Sequence, residues 1–341
     1  MNRPWLVGLG LTVVLIGTVG AAVSVGSTAV GWTDTYRVLL HQTLGLGPET
    51  DPVVSRIVWR LRLPRALLAC VVGGGLSILG VAMQTLVRNP LAEPYILGIS
   101  SGASAGASLF YLGFLPPLLS KTLSMPLAAF LGGLASITVV YLVAREGRHV
   151  SVARLLLAGV AMSALMASIT SFITYSSPEP DKLRAVLFWL LGSLNGTRWE
   201  LLPIPLVTTA FGLGTLLILA RPLDAMLVGE EPAQSLGMPV EAIKRGLIVL
   251  AALVTGTLVA VSGTIGFVGL IVPHAVRLVV GVPHRRLVPL SFVVGAIFLC
   301  GTDLAARTIL PAQEVPVGVL TALCGVPFFL FLLRRRAYRF G

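Results

Sequence analysis

The side chains able to do chemistry in this chain are sparse, and they do not converge on a reactive constellation. The four histidines, His41, His149, His274 and His284, are scattered. The three cysteines, Cys70, Cys300 and Cys324, each fall inside an apolar run without metal-ligand spacing, so they read as small packing residues. No G-x-x-x-x-G-K-[ST] is present to cradle nucleotide phosphates, and there is no dinucleotide fingerprint or G-x-S-x-G elbow. No catalytic residue, metal or cofactor is assigned, and the chain is expected not to be an enzyme by itself. Of the acids, only Asp303 lies inside a long apolar run, four residues before Arg307. That spacing suits a local ion pair on one helix face.

The elements that must position these residues are membrane helices. The chain has 341 residues, 55% of them hydrophobic and only 11% charged, with mean hydropathy +0.92. Soluble domains carry about 25% charged residues, so there is too little polar material here to cover a water-facing surface. A span needs roughly 20 apolar residues. Ten stretches qualify, at about 5–30, 63–86, 94–113, 124–144, 153–174, 201–220, 243–262, 266–282, 287–308 and 316–333, of which the third and eighth are short and broken by Pro or Gly. The first continues too far for a signal h-region and reads as an uncleaved helix. No period-2 pattern suggests a barrel, and no linker divides the chain. The expectation is one all-α transmembrane domain over residues 1–341.

Its net charge of +11 reads as membrane orientation, not as nucleic-acid binding, because the basic residues cluster between apolar runs. With the N-terminus inside, the inner segments hold Arg88, Arg145, Arg148, Arg154, Arg221, Lys244, Arg245, Arg285, Arg286 and the tail Arg334, Arg335, Arg336 and Arg339. Both termini are therefore expected in the cytoplasm. The cluster "SRIVWRLRLPRAL" violates this rule by placing Arg56, Arg60, Arg62 and Arg65 outside, with Arg307 also outside. It is either a solvated charge run or a docking surface for an acidic soluble partner. Proton- or sodium-coupled carriers place carboxylates at membrane depth, and this chain has none near mid-membrane. Energy is expected instead from a separate soluble subunit. The rival is a secondary transporter acting through Asp303. The longest inner polar segment, 221–245, offers a contact for such a subunit: Glu230–Leu236 can form a short amphipathic helix with Pro232 in its first turn.

Five separated stretches resemble one family. They are "RLPRALLACVVGGGLSILGVAMQTLVRNPLAEPYILGISSGASAG" (62–106), "RLLLAGVAMSAL" (154–165), "GEEPAQSLGMPV" (229–240), "GTIGFVGLIVPHAVRL" (263–278) and "DLAAR…EVPVGVLTALCGVPFFLFLL" (303–333). Together they resemble the permease subunits of bacterial type II ABC importers for iron chelates, haem and cobalamin, over nearly the whole chain. The resemblance implies a ten-helix permease in the bacterial inner membrane. It implies a homodimer, two cytoplasmic ATPase subunits, and a periplasmic or lipid-anchored substrate-binding protein. Arg62, Arg65 and Arg307 match outer arginines that pair with acidic residues of the binding protein. Asn89 and Leu91, with Val152 and Ala153, match the cytoplasmic gate, although some relatives carry hydroxyl residues at the latter two positions. Gly229, Glu230, Glu231, Gln234, Leu236 and Gly237 match the coupling segment that meets the ATPase. The implied cargo is an iron complex, ferric siderophore or haem, with cobalamin as the alternative.

Overall fold

A computed structural model describes residues 4–26, 28, 30–46, 50–177, 179–310 and 313–334. Arg335, Arg336 and Arg339 of the basic tail lie outside the described residues. Each expected span falls on an apolar helix. These are α1 (Pro4–Ser24), α2 (Leu63–Val87), α3 (Ile99–Tyr111), α4 (Met125–Ala144), α5 (Val152–Tyr175), α6 (Pro203–Ile218), α7 (Val240–Ser262), α8 (Val268–Val280), α9 (His284–Thr308) and α10 (Val317–Arg334). Seven of them, all but α3, α8 and α10, are long and apolar enough to cross a membrane. Helices α3 and α8 have only 13 residues each, and each follows a backbone break.

Some boundaries differ from the sequence expectation. The first span ends at Ser24 and not near residue 30. The third begins as a 3-10 turn at Pro94–Leu97 and becomes α-helical only at Ile99, because Gly98 at φ 76° reverses the chain between the two. Several shorter helices were not expected, the longest being Trp32–Leu44 and Pro180–Leu190. With 13 and 11 residues they fall below spanning length, so a search for runs of about 20 apolar residues passes over them.

Helix α2 occupies the centre. In its most apolar window 89% of residues are buried, against 17% for α1 and for α5. Its close neighbours approach through glycine. A Cβ on Gly73 would overlap the Gly295 carbonyl of α9, and one on Gly80 would overlap the Gly269 carbonyl of α8. Small residues at such crossings let backbones meet, which is what holds helices together where lipid removes the hydrophobic drive. Helices α3 and α4 cross the same way at Gly102 and Gly132.

Candidate functional site

Chemistry concentrates at the two ends of the bundle. The end where α1 begins, expected to face inward, carries the expected gate and coupling residues. Helix α2 stops at Arg88, which caps it in the left-handed conformation at φ 51°. Asn89 donates its backbone N–H to Gln84 O at 3.1 Å. Its side-chain Oδ1 accepts from Leu91 N at 2.9 Å, an Asx turn that bends the chain before Pro94. The turn is then fastened to a second break, between α7 and α8. Glu93 Oε1 accepts from Phe267 N at 2.6 Å, and Tyr95 Oη accepts from Ile265 N at 3.1 Å. Irregular backbone of this kind is tolerated only where protein or a cavity surrounds it.

Opposite this turn stands a two-stranded hairpin that the sequence reading did not anticipate. Its strands are β1 (Arg145–Glu146) and β2 (His149–Val150), paired antiparallel with Arg145 facing Val150. Helix α5 starts directly after it at Val152, capped by Ser151. The expected short amphipathic helix is present as Glu230–Ser235, with Leu236 as its C-cap. Glycine bounds it on both sides. Gly229 takes φ 152° and ψ 158°, a region open essentially to glycine alone, and Gly237 takes φ 79°. Ala233 is fully buried against the bundle, whereas Glu231 and Gln234 face out and Leu236 is 72% exposed. The outward face of this helix is thus free to meet a partner.

A recess of about 530 Å³ joins these pieces, lined by Arg88, Val152, Gly229, Glu230, Glu231, Gln234 and their neighbours. It brings the expected coupling residues Gly229, Glu230, Glu231 and Gln234 against Val152 of the expected gate. Asn89 and Leu91 lie in the turn beside it, Ala153 is exposed on the first turn of α5, and Leu236 and Gly237 lie beyond its lining. Sequence reasoning missed two groups here. Lys244 reaches Glu230 and Glu241 at 2.9 and 2.8 Å. His284 is held by Asp224 at 2.6 Å and by Thr85 Oγ1 at 2.7 Å, tying the helix Ala220–Val228 to α9 and α2. The only advance signal was the three-residue spacing of Glu241 and Lys244, which places them on one helix face.

At the opposite end, expected to face outward, Arg62, Arg65 and Arg307 are buried and internally paired, so they are not a solvated charge run. Arg62 donates to the carbonyls of Val23, Ser24 and Thr28. Arg65 pairs with Asp303 and with Glu314, each at 2.9 Å. Arg307 pairs with Asp303 at 3.1 Å, the local pair its spacing suggested, and also donates to Ala22 O. All three arginines nonetheless line one recess of about 240 Å³, with Glu314 on its wall. On the other side of Leu61 lies a larger recess of about 840 Å³, lined by Arg56, Arg60 and Arg198 around Trp59 and Trp199. The two indoles tilt at 42° with centroids 5.3 Å apart, and Trp199 Nε1 donates to Trp59 O at 2.8 Å. The backbone at Arg56–Arg62 is a π-helix. It leaves Arg56 and Arg60 exposed while Arg62 is buried.

Comparison with known proteins agrees with this geometry. A family model described as the FecCD transport family matches residues 13–335. A Halobacterium salinarum protein named as a cobalamin import system permease is 44% identical over 299 residues, 86% of this chain and 76% of that protein. A Yersinia pestis protein named as a hemin transport system permease is 43% identical over 299 residues, covering 86% of this chain and 88% of that one. A solved structure described as an inward-facing conformation of a metal-chelate type ABC transporter superposes with TM-score 0.81 at 31% identity, over 95% of this chain and 97% of that chain.

Proposed function

The chain belongs to the FecCD transport family, and from that membership and the paired sites at its two ends we propose that it is the membrane permease of an ATP-driven importer of an iron complex, ferric siderophore or haem. The observation that carries this reading is the inner recess, where a solvent-facing coupling helix and the start of α5 share one wall. Two copies enclose the pathway between them, because α2 fills the centre of each chain. Two ATPase subunits seat on Glu231, Gln234 and Leu236 and supply the energy. A substrate-binding protein docks on the outer face. Transport is by alternating access in the inner membrane, with both termini in the cytoplasm. The turn at Asn89 and Leu91 and the start of α5 at Val152 and Ala153 form the inner gate. Cobalamin is the second reading, favoured by the name of the Halobacterium relative.

Reconstitution tests this. Proteoliposomes holding the permease, its ATPase and its binding protein are offered haem, a ferric siderophore and cobalamin, with and without ATP. ATP-dependent accumulation of an iron complex is expected. Accumulation of cobalamin alone selects the second reading, and uptake without ATP selects secondary transport through Asp303.

Docking is assigned to the outer recess of Arg62, Arg65 and Arg307, with the exposed Arg56, Arg60 and Arg198 beside it as its accessible cations. Charge reversal of the buried arginines would disrupt folding as well as docking, so the exposed ones make the cleaner test. Exchange of Arg56 and Arg60 for glutamate is expected to raise the binding-protein concentration needed for half-maximal stimulation of ATP hydrolysis by roughly tenfold, since rim charges act on encounter. Titrating the binding protein at two salt concentrations checks this. An unchanged midpoint removes these two residues from the docking surface.

A further inference from the structure

We propose that Lys244 is a positioning residue that transmits movement of the coupling helix to the gate, through paired contacts to Glu230 and Glu241. This rests on the reading that residues 229–237 meet an ATPase. The contacts form an unbroken chain. Lys244 Nζ donates to Glu230 Oε2 at 2.9 Å. It pairs with Glu241 Oε1 at 2.8 Å, one turn earlier on α7. The other oxygen, Glu241 Oε2, accepts the backbone N–H of Val150 at 2.9 Å, the last residue of the hairpin before α5. His149 Nδ1 lies 3.6 Å from Glu241 Oε1 on the same side. Four elements are thus joined by three links of hydrogen-bond length: helix 230–235, α7, the hairpin and, through it, α5.

Two further observations separate this from a generic surface ion pair. The Lys244 side chain is only 3% exposed, although it sits at the inner end where water is available. Exposed pairs contribute little, whereas a buried cation between two carboxylates cannot lose one partner without leaving charge uncompensated. Second, the links are sparse where they matter. Among the described residues, Lys244–Glu230 is the only side-chain hydrogen bond from helix 230–235 to the rest of the chain. Among them, the hairpin likewise reaches α7 by side-chain hydrogen bonding only through Glu241. Beside the backbone that leads from this helix into α7, a push on the coupling helix therefore has one side-chain route to the hairpin. Lys244 holds a carboxylate on each side, and Glu241 holds Lys244 with one oxygen and the Val150 amide with the other, so the amide follows α7 and Lys244 as a unit.

The test uses the assembled permease, ATPase and binding protein in proteoliposomes, and reads substrate moved per ATP hydrolysed. Lys244→Met is expected to lower that ratio at least tenfold while the ATPase stays bound and continues to turn over. Lys244→Arg is expected to keep most of it. The exchange of Glu230→Lys with Lys244→Glu is expected to recover more than either single change. A general packing role would lower yield and rate together without moving the ratio. Should Lys244→Met give no folded complex, Glu241→Gln takes its place: the amide oxygen still accepts from Val150 N, and the ion pair is gone. A wild-type ratio in a folded Lys244→Met or Glu241→Gln complex overturns the proposal. Failure of the ATPase to copurify with the unaltered chain overturns instead the reading on which it rests, so the two failures are distinct.

Discussion

Replacing Gly80 by valine is expected to abolish the folded permease. Gly80 lies in the second half of α2, at its crossing with α8. A Cβ there would overlap the Gly269 carbonyl oxygen and crowd Gly269 Cα at 2.8 Å. The obstacle is backbone, so no side-chain rotation relieves it, and the two helices must separate. Separation propagates because α2 is buried along nearly its whole length. It also pulls on the Phe267 amide held by Glu93, which lies just before α8. Overpacking of a well-fitted core costs about 1–3 kcal/mol where side chains can shift, and backbone overlap lies at or beyond the upper end of that range. The control is Gly214→Ala on α6, where an added Cβ meets nothing within 4 Å. That substitution is expected to be neutral or stabilising by up to about 1 kcal/mol, since alanine is the better helix former. Monodisperse protein remaining after heating in detergent, followed by size exclusion, measures both. Survival of Gly80→Val at the wild-type melting temperature would show that α2 and α8 do not cross as described.

Asp303→Ala carries the second large effect. Asp303 is fully buried and serves two arginines at once, Arg65 at 2.9 Å and Arg307 at 3.1 Å. Removing it leaves two buried guanidiniums facing each other with one carboxylate, Glu314, in reach of Arg65. Stranding a buried charge costs about 3–5 kcal/mol. The loss is expected as a sharp fall in folded yield, with ATP-dependent uptake falling in proportion to folded protein. Glu314→Ala is the comparison. Its carboxylate is far more exposed than that of Asp303, and Arg65 keeps its other partner, so the cost is expected below about 1 kcal/mol. The pair also decides between energy sources. If Asp303→Asn folds normally yet loses an ATP-independent uptake, Asp303 is a coupling carboxylate; if uptake tracks folded protein, it is a structural counter-ion.

Much of the architecture follows from local order along the chain. Ten apolar stretches dictate ten helices, because each must satisfy its own backbone in lipid. The break after Val87 is legible in Asn89, Pro90 and Pro94, whose turn chemistry acts within a few residues. The short helix at Glu230–Ser235 is legible for the same reason, with glycine at either end and proline in its first turn. Asp303 and Arg307 needed only their four-residue spacing. The remainder depends on partners far apart in sequence. Glu93 meets Phe267 across 174 residues, and Arg65 meets Glu314 across 249. No period or motif predicts such meetings, because they are set by which helices cross. Those crossings are themselves invisible to hydropathy. Lipid is as apolar as leucine, so a helix buried in protein and one facing the membrane read alike, and only close packing at Gly73 and Gly80 places α2 at the centre. The outer arginines show the consequence most directly. Their sequence states that they are basic, clustered and outside, while the tertiary structure decides that Arg62, Arg65 and Arg307 turn inward onto carbonyls and Asp303, and that Arg56 and Arg60 remain open to a partner.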